Sequence, residues 1–197
     1  MQIERAMLGI RTLGPGNRFV IWVNGCYRKC VGCVSQRLQA FNPFNEKDVI
    51  KYLSQFNLRE IAGVTISGGE PFEQYIDLCK AVKYFNQQGI EDILIYTGYT
   101  IEELKSKNKE EIDYILEHIA VIIDGPYIQE LDSGYGNLKG SDNQRVIILN
   151  PKVKWLYAEY YSPTRTMQEF YIGNIVLAAG IPDEDYIKKF RNTKGDQ

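Results

Sequence analysis

Cysteine is the residue type whose spacing most directly suggests chemistry in this sequence. Three of the four cysteines, Cys26, Cys30 and Cys33, fall in the stretch NGCYRKCVGC at residues 24–33, with the spacing C-x3-C-x2-C. Thiolates that lie so close together bind metal or react. The first question is therefore which kind of site uses three of them.

Several cysteine sites can be compared with this pattern. A structural zinc site needs four ligands, usually in two separated pairs. The remaining candidates, Cys79 and His118, fall on the apolar face of one predicted helix and at the end of another, so both are expected to be structural. The bacterial ferredoxin spacing C-x2-C-x2-C is absent, and three thiols do not make a disulfide set. A cubane cluster held by three cysteines, with one iron open to a small molecule, remains.

The overall composition indicates an ordinary globular protein. The 197 residues are 44% hydrophobic and 24% charged, with a formal net charge of −2. This charge gives no reason to expect nucleic acid or an anionic membrane as a partner. The sequence has neither a signal-like start nor an apolar run of about 20 residues, so a cytoplasmic protein is expected.

Hydrophobic patterns predict alternating strands and helices. Asn45 is expected to cap a helix over residues 46–56, and a helical stretch over 101–118 is expected to break near Asn108. Beyond residue 151, stretches 155–162 and 169–182 alternate like antiparallel strands, with Gly173-Asn174 as a turn. The other predicted elements are strands at 18–24, 64–67, 92–98, 120–125 and 145–149 and a helix at 74–88.

These elements predict an α/β fold. Short apolar strands joined by helices are typical of parallel βα units. Five strands up to residue 150 are too few for a closed eight-stranded barrel, which takes about 250 residues. We therefore expect an open partial (β/α) barrel of about five or six parallel strands over residues 1–150. Residues 151–197 are expected to form a C-terminal extension with a β-hairpin, packed on that core.

Polar and glycine-rich motifs follow the predicted strands. The cysteine stretch follows the first strand, Gly68-Gly69-Glu70 the second, Thr97 the third and Asp124 the fourth. Because ligands bind at the carboxyl ends of parallel strands, these motifs are expected to line one rim. The alternatives are a simple strand-to-helix turn for the glycine pair and a tight turn after Asp124.

The three-cysteine motif followed by GGE resembles the radical S-adenosylmethionine (radical SAM) superfamily. The resemblance implies that Cys26, Cys30 and Cys33 bind a [4Fe–4S] cluster whose fourth iron chelates the amino and carboxylate groups of S-adenosylmethionine. Reductive cleavage would then give a 5′-deoxyadenosyl radical that abstracts hydrogen from a substrate. The residues expected to bind the cofactor are Gly68, Gly69, Glu70, Thr97, Asp124 and Asn143.

Within that superfamily, residues 8–149 resemble the activating enzymes of anaerobic ribonucleotide reductase. The matching segments are GPGNRFVIWVNGC, TISGGEPF, YTGY, IDGPY and KGSDNQR. The resemblance implies a glycyl radical enzyme as partner, a reduced flavodoxin-like electron donor and a shortened open barrel. The sequence departs from the family at Val34-Ser35, at Lys139 and Asp142, and in the tail from 151.

Other functions stay open at this point. One is a radical SAM enzyme that modifies a peptide or a small molecule, and another is a binding module with structural metal. Residues 139–145 and the tail from 151 are expected to shape the substrate side of the site. The alternative is that Asn143, Gln144 and Arg145 only satisfy backbone groups inside their loop.

Overall fold

The computed structural model describes residues 1–173 and 175–192; Asn174 of the predicted turn and residues 193–197 of the tail lie outside this range. A six-stranded sheet forms the centre, with its strands in chain order. The strands are β1 (Ile3–Ile10), β2 (Arg18–Val23), β3 (Gly63–Gly68), β4 (Ile93–Tyr96), β5 (Val121–Asp124) and β6 (Arg145–Ile148), with a separate antiparallel pair β7 (Met167–Ile172) and β8 (Ile175–Gly180). The helices are α1 (Val49–Leu53), α2 (Tyr75–Gln87), α3 (Ile101–Ser106), α4 (Glu110–His118), α5 (Lys154–Tyr160) and α6 (Glu184–Asn192).

The sheet is mixed rather than wholly parallel. Strands β2 to β5 are parallel, while β1 and β6 pair antiparallel with their neighbours. The expectation of five or six parallel strands was therefore wrong at β6 and missed β1. Parallel neighbours usually need a helical crossover, but the connection from β5 to β6 holds only the short turn Gln129–Leu131. Within the described residues no pairing joins β6 to β1, so the sheet is open.

The first helix is shorter than predicted and begins later. It spans Val49–Leu53, and the Asp48 side chain caps it by accepting a hydrogen bond from the Lys51 amide at 2.9 Å. The prediction that Asn45 caps it was wrong. The Asn45 side-chain amide instead donates to Asn24 at 2.8 Å and to Glu4 at 2.7 Å. Asn45 thus joins the start of the cysteine loop to the edge strand β1.

The remaining core helices agree with the sequence. The predicted break falls at Asn108, which has a left-handed φ of 49° and separates α3 from α4. Cys79 lies on α2, and its side chain is buried in the hydrophobic core. The His118 ring stacks on Tyr114, with the ring centroids 3.8 Å apart, at the end of α4. Both residues therefore occupy the structural positions expected of them.

The stretch at 155–162 was wrongly predicted to be a strand. It belongs largely to helix α5, from which Tyr157 and Tyr160 both pack on the core. Trp155, Tyr157 and Tyr161 fall at even spacings that imitate a strand, but the three-residue spacing of the buried Tyr157 and the half-buried Tyr160 is helical. The expected hairpin does form, from β7 and β8.

A buried ion pair attaches α5 to the amino-terminal ends of the parallel strands. Arg18 is fully buried, and its guanidinium donates to Asp92 at 2.6 Å and to the Thr65 hydroxyl at 2.7 Å. The Tyr157 hydroxyl donates to the same Asp92 carboxylate at 2.8 Å. The extension is therefore anchored to the core at the edge opposite the cysteine loop.

Replacing Asp92 by alanine should destabilise the protein strongly, because it leaves the Arg18 guanidinium buried without its counter-ion. We expect the free energy of unfolding to fall by about 3–5 kcal/mol in denaturant titrations. The helix-cap variant Asp48→Ala should cost only about 1 kcal/mol and serves as the control. Equal effects of the two substitutions would contradict the anchoring role.

Candidate functional site

The three clustered cysteines lie on one loop that leaves β2 at the carboxyl edge of the parallel strands. Cys26, Cys30 and Cys33 are free, half-buried thiols. The Cys26 amide donates to the Gln39 carbonyl at 2.9 Å, and the neighbouring Gly25 amide donates across the same loop. The loop thus closes back on itself around residues 38–39. This closure gives the three thiols a fixed base.

Local backbone geometry turns amide groups towards the first thiol. Lys29 has a left-handed φ of 49°, and the Arg28 and Lys29 amides both donate to the Cys26 sulfur. Burial raises the pKa of Cys26, and these two hydrogen bonds act in the opposite direction. Amides directed at a sulfur favour its thiolate form, which is the form that ligates iron.

The donor set fits an iron–sulfur cluster better than a single ion. Within residues 1–173 and 175–192, no group of three or more His, Cys, Asp or Glu side chains could hold one metal ion. A cubane binds each of its cysteines through a different iron atom. Three cysteines on one loop that do not converge on a single metal ion are compatible with that arrangement.

The predicted glycine motif packs directly under the cysteine loop. The Gly69 amide donates to the Val23 carbonyl at 2.7 Å, and the Glu70 amide donates to the Gly25 carbonyl at 2.8 Å. A Cβ added at Gly69 would lie 2.4 Å from that Gly25 oxygen, and Gly68 has a left-handed φ of 115°. Close approach of two backbones therefore requires both glycines.

Glu70 is a buried carboxylate that joins the ends of β3 and β4. It is only 1% exposed. One of its oxygens accepts from the Thr97 hydroxyl at 2.8 Å and from the Phe72 amide at 3.0 Å, and the other accepts from the Gly98 amide at 2.7 Å. Burial raises the pKa of Glu70 to about 7, against the effect of these hydrogen bonds. Glu70 also begins the short turn Pro71–Gln74, so the turn alternative describes part of its role.

Asp124 plays a similar connecting role at the end of β5. It is fully buried. Its carboxylate accepts from the Ile101 amide and from Arg145 Nε, both at 2.9 Å, and also from a terminal nitrogen of Arg145. Arg145 pairs in addition with Glu102 at 2.7 Å. Asp124 thus fixes the start of α3 beside the rim, and its contact with a cofactor stays a prediction.

The loop between β5 and β6 contains one unsatisfied buried acceptor. The Asn143 side chain donates to the Pro126 carbonyl at 2.7 Å, and Gln144 bonds the backbone of Gly125 and Gly140. These contacts match the alternative in which the two residues satisfy the backbone of their own loop. The Asn143 Oδ1 atom, however, is buried and has no hydrogen-bond partner in the described protein. A buried acceptor without a donor is costly, so this atom suits a ligand that donates N–H or O–H.

Sequence reasoning missed two side chains at the cysteine loop. Arg28 lies 4.1 Å from the centroid of the Tyr99 ring and pairs with Glu103 at 2.9 Å. Tyr127 is the second; its pKa is raised to about 12 by burial and by Asp132, with a smaller effect from Cys33. The position of Arg28 between two cysteines and that of Tyr127 just after β5 could have indicated these roles. Their contact partners are distant in sequence, so the contacts themselves could not be predicted.

Comparison with known proteins identifies the class to which this site belongs. Residues 12–147 match the family described as the 4Fe-4S single cluster domain. The match covers the cysteine loop, the glycine motif and every parallel strand. The chain therefore carries a single-cluster 4Fe–4S domain.

Similar proteins narrow the class further. An anaerobic ribonucleoside-triphosphate reductase-activating protein of Salmonella typhimurium is 30% identical over 68% of this chain and 89% of its own length. The proteins of that name from Escherichia coli K12 and Enterobacteria phage T4 are 30% and 33% identical over the same share of this chain, covering 89% and 85% of their lengths. The chain belongs to this family of activating proteins, and the resemblance seen in its motifs is confirmed.

Membrane insertion by a helix finds no support in the structure. None of the helices in the described ranges is both long enough and apolar enough to cross a bilayer.

Each loop cysteine should be required for the cluster. Because the three thiols supply all the cysteine ligands on this loop, replacing Cys26, Cys30 or Cys33 by alanine should abolish the visible iron–sulfur absorbance after anaerobic reconstitution. Cys79→Ala removes a core thiol and should retain that absorbance and the iron content. Iron loss in the Cys79 variant alone would overturn the assignment.

Glu70 should make stability fall with rising pH. Its pKa in the folded protein is raised from 4.5 to about 7, so the folded state binds a proton that the unfolded state has released between these values. At about 1.4 kcal/mol per pKa unit, the free energy of unfolding of the iron-free protein should drop by up to about 3 kcal/mol across this range.

The variant Glu70→Gln tests this dependence through its slope. Its unfolding free energy should change much less between pH 4.5 and 7. The exposed carboxyl variant Glu60→Gln should behave like the wild-type protein. A slope unchanged in Glu70→Gln would show that another group titrates.

Proposed function

We propose that this chain is a radical SAM activating enzyme that installs a glycyl radical on anaerobic ribonucleotide reductase or a similar glycyl radical enzyme. Cys26, Cys30 and Cys33 would bind the [4Fe–4S] cluster. When bound, the cluster and S-adenosylmethionine together supply the 5′-deoxyadenosyl radical that abstracts hydrogen from the partner. The chain's own residues hold and orient these groups.

One observation carries the proposal more than any other. The loop with the three thiols and the Gly68-Gly69-Glu70 turn are in direct backbone contact, through the bond from the Glu70 amide to the Gly25 carbonyl. Two motifs far apart in sequence thus form one site at the carboxyl edge of the sheet. Such an edge is where parallel βα folds bind ligands.

The residues proposed for S-adenosylmethionine act in two ways. The Asn143 Oδ1 atom is a buried acceptor in need of a donor, and the cofactor offers an amino group and hydroxyls. Backbone at Gly68 and Gly69 is proposed to meet the ammonium of its methionine part. Glu70, Thr97 and Asp124 hold the ends of three strands in place through the buried hydrogen bonds described above.

The proposed partners follow from the activating role. The similar proteins are named for the anaerobic ribonucleoside-triphosphate reductase that they activate, and we propose a reductase of this kind as the substrate. A reduced flavodoxin-like protein is proposed as the electron donor. The net charge of −2 favours no nucleic-acid or membrane partner. We propose a cytoplasmic location, since clustered thiols that bind a cluster need a reducing compartment.

A second candidate is a radical SAM enzyme that modifies a peptide or small molecule. It is favoured by the extension beyond residue 147, where the family match ends, and by Lys139 and Asp142 in the loop between β5 and β6. Incubation of the reduced, cluster-loaded protein with S-adenosylmethionine and the reductase separates the two. A glycyl radical signal in electron paramagnetic resonance supports activation, whereas cofactor cleavage without that signal favours the second candidate.

Removing the Asn143 amide should weaken cofactor binding specifically. The variant Asn143→Ala loses one buried acceptor, and a hydrogen bond of about 1.4 kcal/mol corresponds to a tenfold weaker affinity for S-adenosylmethionine. Isothermal titration of the cluster-loaded protein measures this change. The same substitution on helix α2, Asn86→Ala, is the matched control, and both variants should keep their iron. Unchanged affinity in Asn143→Ala would remove this residue from the cofactor pocket.

A further inference from the structure

The C-terminal extension is joined to the loop between β5 and β6 by backbone pairing. We call residues 126–144 the rim loop. Its Gly136 amide donates to the Pro163 carbonyl at 2.9 Å, and its Asn137 amide donates to the Ser162 carbonyl at 3.0 Å. In return, the Ser162 amide donates to the Asn137 side chain at 3.0 Å. The segment after α5 is therefore tied to the middle of the rim loop by three hydrogen bonds.

A buried arginine of the extension lies at the centre of this contact. The Arg165 side chain is 2% exposed and pairs with Asp132 of the rim loop at 2.8 Å. One terminal nitrogen donates to the carbonyls of Lys139 and Gly140, each at 3.0 Å, and the other donates to the Pro182 carbonyl at 3.0 Å. A single guanidinium thus holds two separate parts of the rim loop against the segment that follows β8.

The chemistry of arginine suits this position. Its planar guanidinium presents several donors in a fixed fork and stays charged when buried. A buried guanidinium needs acceptors for its N–H groups, and the carbonyls and the Asp132 carboxylate supply them here. The family match ends at residue 147, so Arg165 lies outside the part of the chain that the family model describes.

The rim loop, which Arg165 holds, also contacts the cysteine loop. The Asp132 carboxylate that pairs with Arg165 also accepts from the Tyr127 hydroxyl at 3.1 Å. A Cβ added at Gly32, between the second and third cysteines, would lie 2.5 Å from the Gln129 side chain. The rim loop therefore packs on the cysteine loop through Gln129 and on the C-terminal extension through Asp132.

The tip of the rim loop faces solvent with apolar side chains. Leu131 is 44% exposed and Tyr135 is 64% exposed. Leu131 directly precedes Asp132, which pairs with the buried Arg165, and Tyr135 follows three residues later. Arg165 with its rim-loop partners, which we call the clamp, thereby fixes the segment that carries these two large side chains.

We propose that Arg165 is a positioning residue for the protein substrate: it fixes the rim loop so that Leu131 and Tyr135 contact the partner beside the cysteine loop. This inference rests on the proposed activating function. Cofactor cleavage depends on the cysteine loop, the glycine turn and Asn143, and Arg165 bonds to none of them. Asn143 is held separately, by its own bond to the Pro126 carbonyl. Loss of the clamp should therefore weaken recognition of the partner and leave cofactor cleavage intact.

Steady-state activation by the cluster-loaded protein tests the proposal. In Arg165→Met, the concentration of anaerobic ribonucleotide reductase needed for half-maximal radical formation should rise about tenfold, with the maximal rate within about twofold of wild type. Arg165→Lys keeps the charge but not the fork and should show a smaller rise. The exposed Arg59→Met makes the same chemical change elsewhere and should match wild type.

Two further measurements separate positioning from general damage. Cleavage of S-adenosylmethionine without partner, and iron content, should stay within about twofold of wild type in every variant. Amide hydrogen exchange at Gly136 and Asn137 should be at least about tenfold faster in Arg165→Met, while amides of strand β3 exchange as in wild type. Asp132→Asn, which keeps the arginine and its backbone contacts, should shift half-saturation in the same direction by a smaller factor.

The results that overturn the inference are distinct from those that overturn the function. Unchanged half-saturation in Arg165→Met, or an equal loss of cofactor cleavage and radical formation, contradicts the positioning role. If the wild-type protein cleaves the cofactor but transfers no radical to a reductase, the activating function itself fails. The hydrogen-exchange comparison still tests the clamp in that case.

Discussion

The close approach of two backbones, at Gly25 and Gly69, is the constraint on which the rest of the site depends. The Glu70 amide reaches the Gly25 carbonyl only because the glycine turn carries no side chain at the point of contact. This contact places the base of the cysteine loop on the end of β3. It also buries the Glu70 carboxylate, which in turn takes the Thr97 hydroxyl and the Gly98 amide from the end of β4. A single steric requirement thus orders three strand ends.

Two ion pairs hold neighbouring elements in place, one at each edge of the parallel strands. At the amino ends, Arg18 and Asp92 fasten α5 to the core. At the carboxyl ends, Asp124 and Arg145 hold α3 and β6 beside the site. The Arg18–Asp92 pair is buried on both sides, so breaking it is costly and it enforces one arrangement. In the Asp124–Arg145 pair only the carboxylate is buried, and Arg145 is 45% exposed.

The candidate site motifs do lie at one edge of the sheet, as the sequence predicted, and their contacts with a ligand stay predictions. The surrounding strands and helices were predicted less accurately. The cysteine spacing, the glycine turn and the strand-end polar residues were recognised because close-range chemistry restricts residue types. The edge strand β1 was missed because its sequence carries Glu4 and Arg5 and lacks a continuous apolar run. Helix α5 was misread because its aromatic residues satisfy both a strand and a helix period, and only contact with the core chooses between them. Arg165 contacts residues about thirty positions earlier in the chain, and no local sequence pattern predicts a contact over that separation.

The central proposal is that Cys26, Cys30 and Cys33 hold a cluster with an iron that binds S-adenosylmethionine. Electron–nuclear double resonance on the reduced protein, with cofactor labelled with nitrogen-15 at the amino group and carbon-13 at the carboxylate, tests it most directly. The predicted result is hyperfine coupling of both labels to the cluster. A reduced four-iron cluster that shows coupling to neither label, with the cofactor bound, would contradict it.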